Sequence, residues 1–323
     1  MKEKFIPFFY EEFKYTGVWQ RGDSDMIESY HTSAQLEFGF TGSILRLKAE
    51  TVLQENIAFI LDGQEVMPKT SEDGLLSFLT TDSTHRIKIV MTRHSKLKFG
   101  GIYIDEAGEI FRTKDNLYIQ FIGDSITDAY PGYATRVAEN LCADYSIVSL
   151  CGIALVDKWG WYRLIDGANE RIGMESTYFS LQNPQEAVNP SKYNFEKYRV
   201  PDAFVIYLGT NDYISQKEHK DAGNSKIFAD KYFDFVGKIK ARFGEKPIFI
   251  LQNHRKEVIR TEAINNAYEK MKNKYKFIYL LDCYNWDVEL VSDGVHPSQN
   301  GYKTMAEKVT DFISDKLKGE MLW

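Results

Sequence analysis

The chain has 323 residues, 43% of them hydrophobic and 14% aromatic, and carries a formal net charge of −6. A chain of this length and composition can bury sizeable cores, and its length favours two domains. Positive and negative side chains are mixed along the sequence without a basic stripe, which argues against nucleic acid as a partner.

The beginning of the sequence differs from a signal peptide, because acidic residues follow where an apolar core of about 7–15 residues is needed. No later stretch approaches the roughly 20 apolar residues of a membrane-spanning helix. The three cysteines, Cys142, Cys151 and Cys283, are spaced too widely for a disulfide framework or a zinc site. We therefore expect a soluble cytoplasmic protein with no membrane partner and no structural metal, and the oligomeric state stays open.

Residues 1–114 show the two-residue periodicity of half-buried strands. Apolar and polar side chains alternate from 35 to 40 and again from 45 to 48, and Asp62-Gly63 follows an apolar run as in a hairpin. Short strands separated by turns predict an antiparallel β-sandwich of the jelly-roll kind as the first domain.

The pattern changes after Lys114, where strand-like runs begin to alternate with helix-period segments. This alternation predicts an α/β domain over residues 115–323, with a five-stranded parallel sheet covered by helices. A last helix near Tyr302–Leu317 is expected to pack on the sheet. The predicted strands are Leu117–Ile122, Tyr145–Leu150, Ala203–Leu208, Pro247–Leu251 and Phe277–Leu281.

Three short motifs follow the first and third of these strands or lie near the end of the chain. They are Gly123-Asp124-Ser125, Gly209-Thr210-Asn211-Asp212 and Asp293-Gly294-Val295-His296-Pro297. In an open parallel sheet the ligand site lies beyond the carboxyl ends of the strands, where the strand order reverses. With the strand order 2-1-3-4-5, Ser125 and Asn211 follow neighbouring strands and lie at the same edge.

Ser125 is the candidate nucleophile of an esterase. A serine hydroxyl needs a base within hydrogen-bond reach and a third group that orients the base, and His296 and Asp293 fill these roles. The chain between the last strand and His296 spans roughly 50 Å when extended, which is enough to reach Ser125 across the sheet. A Ser-His pair without the carboxylate stays an alternative.

The tetrahedral intermediate of ester hydrolysis needs hydrogen-bond donors for its oxyanion. We assign the backbone N–H of Ser125, the backbone N–H of Gly152 and the side-chain amide of Asn211. Gly152 follows the second strand, where a residue without Cβ can adopt a positive φ and aim its N–H at a substrate.

A second Gly-Asp-Ser copy ends at Ser24, but its polar surroundings predict a turn without chemistry. The histidines other than His296 are expected to have structural or surface roles, with His254 the one that lies close enough to a strand end to line the cleft. We expect Asp124 and Asp212 to brace their loops by accepting backbone N–H groups.

The long connection from 152 to 199 is rich in aromatic residues, including Trp159 and Trp161. Long connections in compact domains are often functional, and aromatic faces stack on sugar rings. We therefore assign Trp159 and Trp161 to a sugar subsite, with packing against the first domain as the alternative. Trp286, in the loop that carries His296, is assigned to the same subsite.

Together the motifs resemble those of the SGNH, or GDSL-type, hydrolases: Gly-Asp-Ser, a glycine after the second strand, Gly-x-Asn-Asp and Asp-x-x-His-Pro. The resemblance covers roughly residues 115–323, and it implies a flavodoxin-like sheet and a reaction without metal or cofactor. An N-terminal sandwich joined to such a domain is similar to carbohydrate esterase family 2, whose members remove O-acetyl groups from plant polysaccharides and sugars.

This resemblance implies a serine esterase that deacetylates plant-type oligosaccharides or polysaccharides, such as xylan or mannan, through an acyl-enzyme. The missing export signal favours imported oligosaccharides. A lipid or thioester hydrolase is an alternative, because the same triad serves any acyl ester. A carbohydrate-binding protein with a vestigial hydrolase domain is another.

Overall fold

The computed structural model describes residues 2–21, 25–51, 54–163, 170–179, 199–215, 224–254 and 258–319. The chain divides into two compact units. The first comprises Met1–Asn116 and Lys197–Arg199, and the second comprises Leu117–Glu196 and Val200–Trp323. In the described parts of the chain, no helix is long and apolar enough to span a membrane.

The first unit is built from antiparallel strands that hydrogen bonding joins in the order β3-β4-β10-β5-β9-β6-β7. β1 also pairs with β10, β2 and β11 pair with β5, and β8 pairs with β9, which confirms the predicted antiparallel sandwich. The strands are β1 (Glu3–Pro7), β2 (Lys14–Thr16), β3 (Gln20–Arg21), β4 (Ile27–Ser29), β5 (Gln35–Thr51), β6 (Ile57–Leu61), β7 (Gln64–Val66), β8 (Lys69–Thr70), β9 (Leu76–Met91), β10 (Leu97–Asp105) and β11 (Ile110–Phe111).

The two alternating stretches at 35–40 and 45–48 belong to one strand, β5, which is 17 residues long. The register shifts between Gly42 and Ile44, and this bulge changes the phase of the alternation. A Cβ on Gly42 would lie 2.3 Å from the Asp105 carboxylate, which accepts the backbone N–H groups of Ser43 and Ile44 at 2.6 and 3.0 Å. The bulge lets even-numbered residues before it and odd-numbered residues after it, such as Phe38 and Leu45, face one core.

The predicted hairpin at Asp62-Gly63 joins β6 and β7, where Leu61 pairs with Gln64. Both turn residues have positive φ, +51° and +82°, as a type I′ turn requires. This confirms the hairpin.

Asp62 also contacts His85, on the neighbouring strand β9. His85 Nδ1 lies 2.6 Å from Asp62 Oδ2, and His85 Nε2 lies 3.0 Å from the Thr81 carbonyl oxygen. A carboxylate and a carbonyl oxygen can only accept, so the imidazolium form of His85, with protons on both ring nitrogens, is the one that makes both hydrogen bonds. Burial by itself lowers the pKa of His85, but the hydrogen bonds to Asp62 and Thr81 outweigh it and raise that pKa. Burial raises the pKa of Asp62, and the bond to His85, the backbone N–H of Arg86 and the charge of His85 together more than reverse this.

The Asp62–His85 pair therefore makes stability depend on pH. A histidine pKa raised from 6.5 contributes stability that is present below pH 6.5 and lost as the pH rises through the folded-state value. An aspartate pKa lowered from 3.8 contributes stability that is present above pH 3.8 and lost as the pH falls. The pair stabilises the unit most between these two values.

We expect His85→Gln to lower the free energy of unfolding by about 1 kcal/mol at about pH 5 and by less at about pH 9, because His85 loses its charge as the pH rises. Thermal unfolding of both proteins, followed by circular dichroism across this range, measures the difference. The same loss at both pH values would contradict the imidazolium.

The second unit contains a five-stranded parallel sheet in the order β13-β12-β14-β15-β16. This is the order 2-1-3-4-5, under which Ser125 and Asn211 follow neighbouring strands. All five predicted strands are present. No end differs from its predicted position by more than one residue. The elements are β12 (Tyr118–Gly123), α1 (Tyr133–Asn140), β13 (Asp144–Ser149), α2 (Met174–Thr177), β14 (Ala203–Tyr207), α3 (Thr210–Ile214), α4 (Ser225–Phe243), β15 (Ile248–Leu251), α5 (Val258–Lys272), β16 (Ile278–Leu281) and α6 (Gln299–Gly319).

Helices cover both faces of this sheet, and its central strands are therefore buried on both sides. Phe121 of β12 contacts Tyr133 of α1, and α1 packs against α6. The neighbouring residue Gln120 points to the opposite face, where Tyr178 donates a hydrogen bond to it and stacks edge-on against Phe235 of α4. The sheet's carboxyl edge, beyond these layers, carries the predicted motifs.

Candidate active site

Ser125 lies in a tight turn after β12. A Cβ on Gly123 would lie 2.0 Å from Thr127 Oγ1, so only glycine fits at the end of the strand. Asp124 is fully buried and accepts the backbone N–H of Ile126 on its carboxylate, at 3.0 Å, and that of Thr127 on its carbonyl, at 3.0 Å. Among the hydrogen bonds of the described residues, none uses the Ser125 N–H, so this donor is available to a ligand.

His296 is held by the loop between β16 and α6. Leu290 and Pro297 form an isolated antiparallel bridge, and the Val291 N–H donates to the His296 carbonyl at 2.9 Å. Because β16 is the far edge strand of the sheet, this loop passes the ends of β15 and β14 before His296 reaches Ser125.

The structure brings Ser125, His296 and Asp293 into one hydrogen-bonded relay. Ser125 Oγ lies 2.8 Å from His296 Nε2, and His296 Nδ1 lies 2.6 Å from Asp293 Oδ2. The bond to His296, with the backbone N–H groups of His296 and Val295, lowers the pKa of Asp293 to about 2. Asp293 is therefore a carboxylate at neutral pH, and the relay can remove a proton from the serine hydroxyl.

Gly152 lies three residues beyond the end of β13, and its φ of +77° is one that glycine tolerates. Its carbonyl accepts the N–H groups of Trp161 and Tyr162, at 2.8 and 3.3 Å. Within the described residues the Gly152 N–H has no acceptor of its own, as expected of an oxyanion donor.

Asn211 and Asp212, in the short helix α3, hold the loop that follows Gly152. Asn211 Nδ2 donates to the Ile153 carbonyl at 2.8 Å, and the Asp212 carboxylate accepts the N–H groups of Leu155 and Val156 at 2.8 and 3.0 Å. Burial raises the pKa of Asp212 to about 7, and the two N–H groups lower it only in part. The predicted bracing roles of Asp124 and Asp212 are thus confirmed, and the second amide hydrogen of Asn211 is left for a ligand.

Asp128 connects two loops of the site, and the sequence did not predict this role. Its carboxylate accepts Ser149 Oγ at 2.8 Å and Cys151 Sγ at 3.6 Å. Asp128 follows the nucleophile turn, whereas Ser149 and Cys151 precede Gly152, so it ties the two loops together. No local signal in the sequence marks Asp128, because its partners lie near the end of another strand. Desolvation and the Asp128 carboxylate raise the pKa of the Cys151 thiol to about 12, which keeps it protonated.

The first unit contains a second Ser-His-Asp arrangement with similar distances. Ser83 Oγ lies 3.0 Å from His85 Nε2, and His85 Nδ1 contacts Asp62. The Thr81 carbonyl beside Nε2 favours a proton on that nitrogen, and a protonated Nε2 cannot act as a base toward Ser83. The two arrangements differ in the partners of Nε2 rather than in distance: a backbone carbonyl lies beside Nε2 of His85.

The three tryptophans assigned to a sugar subsite have different environments. Trp161 is 39% exposed and packs against Gly152, where an added Cβ would lie 3.4 Å from Trp161 Cβ. Trp159 is 5% exposed and has little ring surface for a sugar. Trp286 packs half-buried on the core of the second unit, with Lys308 Nζ 5.7 Å from its ring centroid. Of the three, Trp161 presents the most exposed ring.

The side chain of His254 is more deeply buried than that of a residue lining a cleft. Its ring is 4% exposed and stacks on Tyr207, whose hydroxyl lies 2.7 Å from His254 Nδ1. These contacts favour the structural role. The second Gly-Asp-Ser copy at Ser24, the aromatic residues Tyr193, Phe195 and Tyr198, and His219 lie outside the described residues.

A parallel sheet of this order, with a Ser-His-Asp relay and an asparagine at its carboxyl edge, defines a serine hydrolase of the SGNH type. In the described residues no three His, Cys, Asp or Glu side chains are grouped to hold a metal ion. The chain belongs to the GDSL-like lipase/acylhydrolase family, whose model matches residues 119–309, more than half of the chain. The protein is therefore an esterase. The comparison with curated proteins gave no match.

Several solved structures share the fold over nearly the whole chain. One is a family two carbohydrate esterase from Clostridium thermocellum in complex with cellohexaose, with a TM-score of 0.74, 20% identity and coverage of 95% of this chain and 99% of that chain. An acetyl xylan esterase from the rumen bacterium Butyrivibrio proteoclasticus has a TM-score of 0.75, 18% identity and coverage of 98% and 100%. A salicylyl-acyltransferase from a tetracycline biosynthetic pathway has a TM-score of 0.68, 13% identity and coverage of 97% and 98%. At these identities the likeness concerns the fold.

Proposed function

We propose that the protein removes O-acetyl groups from plant-type oligosaccharides or polysaccharides, such as xylan or mannan, through an acyl-enzyme. The observation that carries the hydrolytic part is the continuous relay from Ser125 through His296 to Asp293. A complete relay with two unengaged backbone donors beside it argues against a vestigial domain that only accompanies a binding module.

In the first step Ser125 Oγ attacks the ester carbonyl while His296 Nε2 accepts the hydroxyl proton. Asp293 holds the ring through Nδ1 and stabilises the imidazolium that forms. The oxyanion receives hydrogen bonds from the N–H groups of Ser125 and Gly152 and from the Asn211 amide. The imidazolium then gives its proton to the sugar oxygen, the carbon–oxygen bond breaks, and the acetyl group stays on Ser125.

In the second step water takes the place of the sugar. His296 accepts a proton from the water as its oxygen attacks the acetyl carbonyl, and the same donors hold the second oxyanion. The proton returns to Ser125 Oγ as the acyl–enzyme bond breaks. Acetate leaves, and the relay is restored without metal or cofactor.

Two features support a sugar as the alcohol part of the substrate. Trp161 presents an exposed ring beside Gly152, where it can stack on a pyranose whose acetyl group reaches Ser125. The carbohydrate esterases similar to this chain cover both of its units, and the sandwich is among the shared parts.

The test compares acetate release from acetylated xylan and mannan fragments with hydrolysis of 4-nitrophenyl acetate, a long-chain 4-nitrophenyl ester and an acyl thioester. We expect kcat/KM for at least one acetylated fragment to exceed that for the long-chain ester by about tenfold or more. Trp161→Ala should raise KM for that fragment about tenfold through the lost stacking and leave 4-nitrophenyl acetate nearly unchanged.

Trp286→Ala is the matched control, because its ring packs on the core and should affect both substrates alike. Equal effects of Trp161→Ala on both substrates would contradict the sugar subsite. A preference for the long-chain ester or the thioester would contradict the proposed substrate class and leave the esterase assignment intact.

A further inference from the structure

The first unit contains a groove that takes no part in the proposed reaction. Its volume is about 480 Å³, within the roughly 300–1,000 Å³ that small-molecule sites occupy. The residues that line it include Phe13, Tyr15, Ile27, Phe9 and Tyr10. We call it the aromatic groove.

Phe9 and Tyr10 are exposed to an unusual degree, 71% and 45%, on the turn that follows β1. Their ring centroids are 6.1 Å apart, so the two rings form one adjoining surface. Large aromatic side chains are among the most favourable to bury, and adjacent exposed rings typically mark a binding surface.

The turn that carries these rings is already fixed by hydrogen bonds. The Phe8 N–H donates to the Gly100 carbonyl at 3.1 Å, and the Phe13 N–H donates to the Tyr10 carbonyl at 3.2 Å. Arg112 Nη1 donates to the Glu11 carbonyl at 3.0 Å. A ligand therefore meets a preformed surface and loses little affinity to ordering it.

Charged groups of both signs line the same groove. Glu11 supplies carboxylate acceptors, and Arg21 supplies guanidinium donors. Arg112, the other arginine of the lining, already pairs with Asp115 at 3.2 Å. An anionic ligand would be repelled by Glu11 and a cationic ligand by Arg21, whereas a purely apolar ligand would leave both without partners. A neutral ligand with apolar ring faces and many hydroxyl groups satisfies the rings, the donors and the acceptors together.

We propose that the aromatic groove is a second carbohydrate-binding site, which takes a neutral oligosaccharide with its pyranose faces on Phe9 and Tyr10. Binding here requires no acetyl group and no hydrolysis. The inference therefore does not depend on the acetyl esterase activity proposed for the second unit.

The test measures binding of unacetylated xylohexaose and cellohexaose to the full chain by isothermal titration calorimetry. In a Trp161→Ala background, which weakens a subsite near Ser125, we expect binding of at least one of the two sugars to persist. Adding Phe9→Ala and Tyr10→Ala should lower its affinity at least about tenfold, the loss expected from removing stacking faces. Hydrolysis of 4-nitrophenyl acetate should stay unchanged.

Phe5→Ala is the matched control, because Phe5 is an exposed aromatic residue of the same unit, 42% exposed, that does not line the groove. It should leave sugar binding unchanged. No sugar binding in the Trp161→Ala background, or an equal loss with Phe5→Ala, would overturn the proposal. A dimer in sedimentation that Phe9→Ala and Tyr10→Ala dissociate would also overturn it, by assigning the groove to a second copy of the chain.

Discussion

Ser125→Ala and His296→Ala are each expected to lower kcat/KM for 4-nitrophenyl acetate by roughly 10⁴-fold or more. The first change removes the oxygen that forms the acyl-enzyme. The second removes the base that lies 2.8 Å from that oxygen. Both changes act on the chemical step, so kcat should fall while KM changes little. Steady-state kinetics of the purified variants, with circular dichroism to verify folding, measures the effect.

The first unit provides a matched control for this prediction. Ser83 contacts a histidine that contacts an aspartate, at distances close to those of the Ser125 relay. Ser83→Ala should leave the activity unchanged, because the Thr81 carbonyl favours a proton on Nε2 of His85 and so opposes its use as a base. Near-wild-type hydrolysis by Ser125→Ala, or a comparable loss with Ser83→Ala, would contradict the assignment of the nucleophile.

The same relay bears on the choice between a triad and a dyad. His296 Nδ1 lies 2.6 Å from Asp293, and the carboxylate also accepts two backbone N–H groups of the loop. Replacing it therefore removes both the partner of the ring and a brace of the loop. This double role favours a triad over a Ser-His pair held by backbone carbonyls.

Asn211→Ala is expected to lower kcat by about 10²–10³-fold with a much smaller change in KM, because in the proposed mechanism the amide donates to the oxyanion and not to the ground-state carbonyl. The amide also holds the Ile153 carbonyl at 2.8 Å, so part of the loss comes from a looser Gly152 loop. Steady-state kinetics with 4-nitrophenyl acetate measures both parameters.

Asn253 offers a control of the same residue type at the same sheet edge. Its Nδ2 donates to Thr210 Oγ1 at 2.7 Å, and its side chain is buried. Asn253→Ala should lower stability while kcat stays within a few fold of the wild type. If the two asparagine variants lost kcat equally, Asn211 would be a structural residue and the oxyanion would depend on backbone donors.

The parallel sheet could be predicted strand by strand because its signals are local. Each strand is a short apolar run between polar breaks, and burial on both faces requires such a run. The length of β5 could not be predicted in this way. Its two alternating stretches are out of phase, and only the pairing with β9 and the contact of Gly42 with Asp105 make them one strand with a bulge.

In the candidate active site, too, local motifs predicted some residues and could not predict others. Ser125, Asn211 and His296 stand in short motifs whose spacing to the strand ends is set by the chain itself. Asp128 could not be predicted, because its partners Ser149 and Cys151 come from another strand end. Neither could the burial of Trp159, since aromatic residues near one another in sequence are divided between core and surface by long-range packing.

By itself the sequence determined which residue types follow which strands, and this sufficed for the parallel sheet and the candidate triad. Tertiary structure decided which polar groups are already engaged. That distinction separates Ser125 from Ser83, since both contact a histidine that contacts an aspartate. The backbone carbonyl of Thr81 occupies Nε2 of His85, whereas Nε2 of His296 faces the serine alone among the contacts of the described residues. Proton transfer depends on the partners that folding brings to each nitrogen, and residue type and spacing do not contain that information.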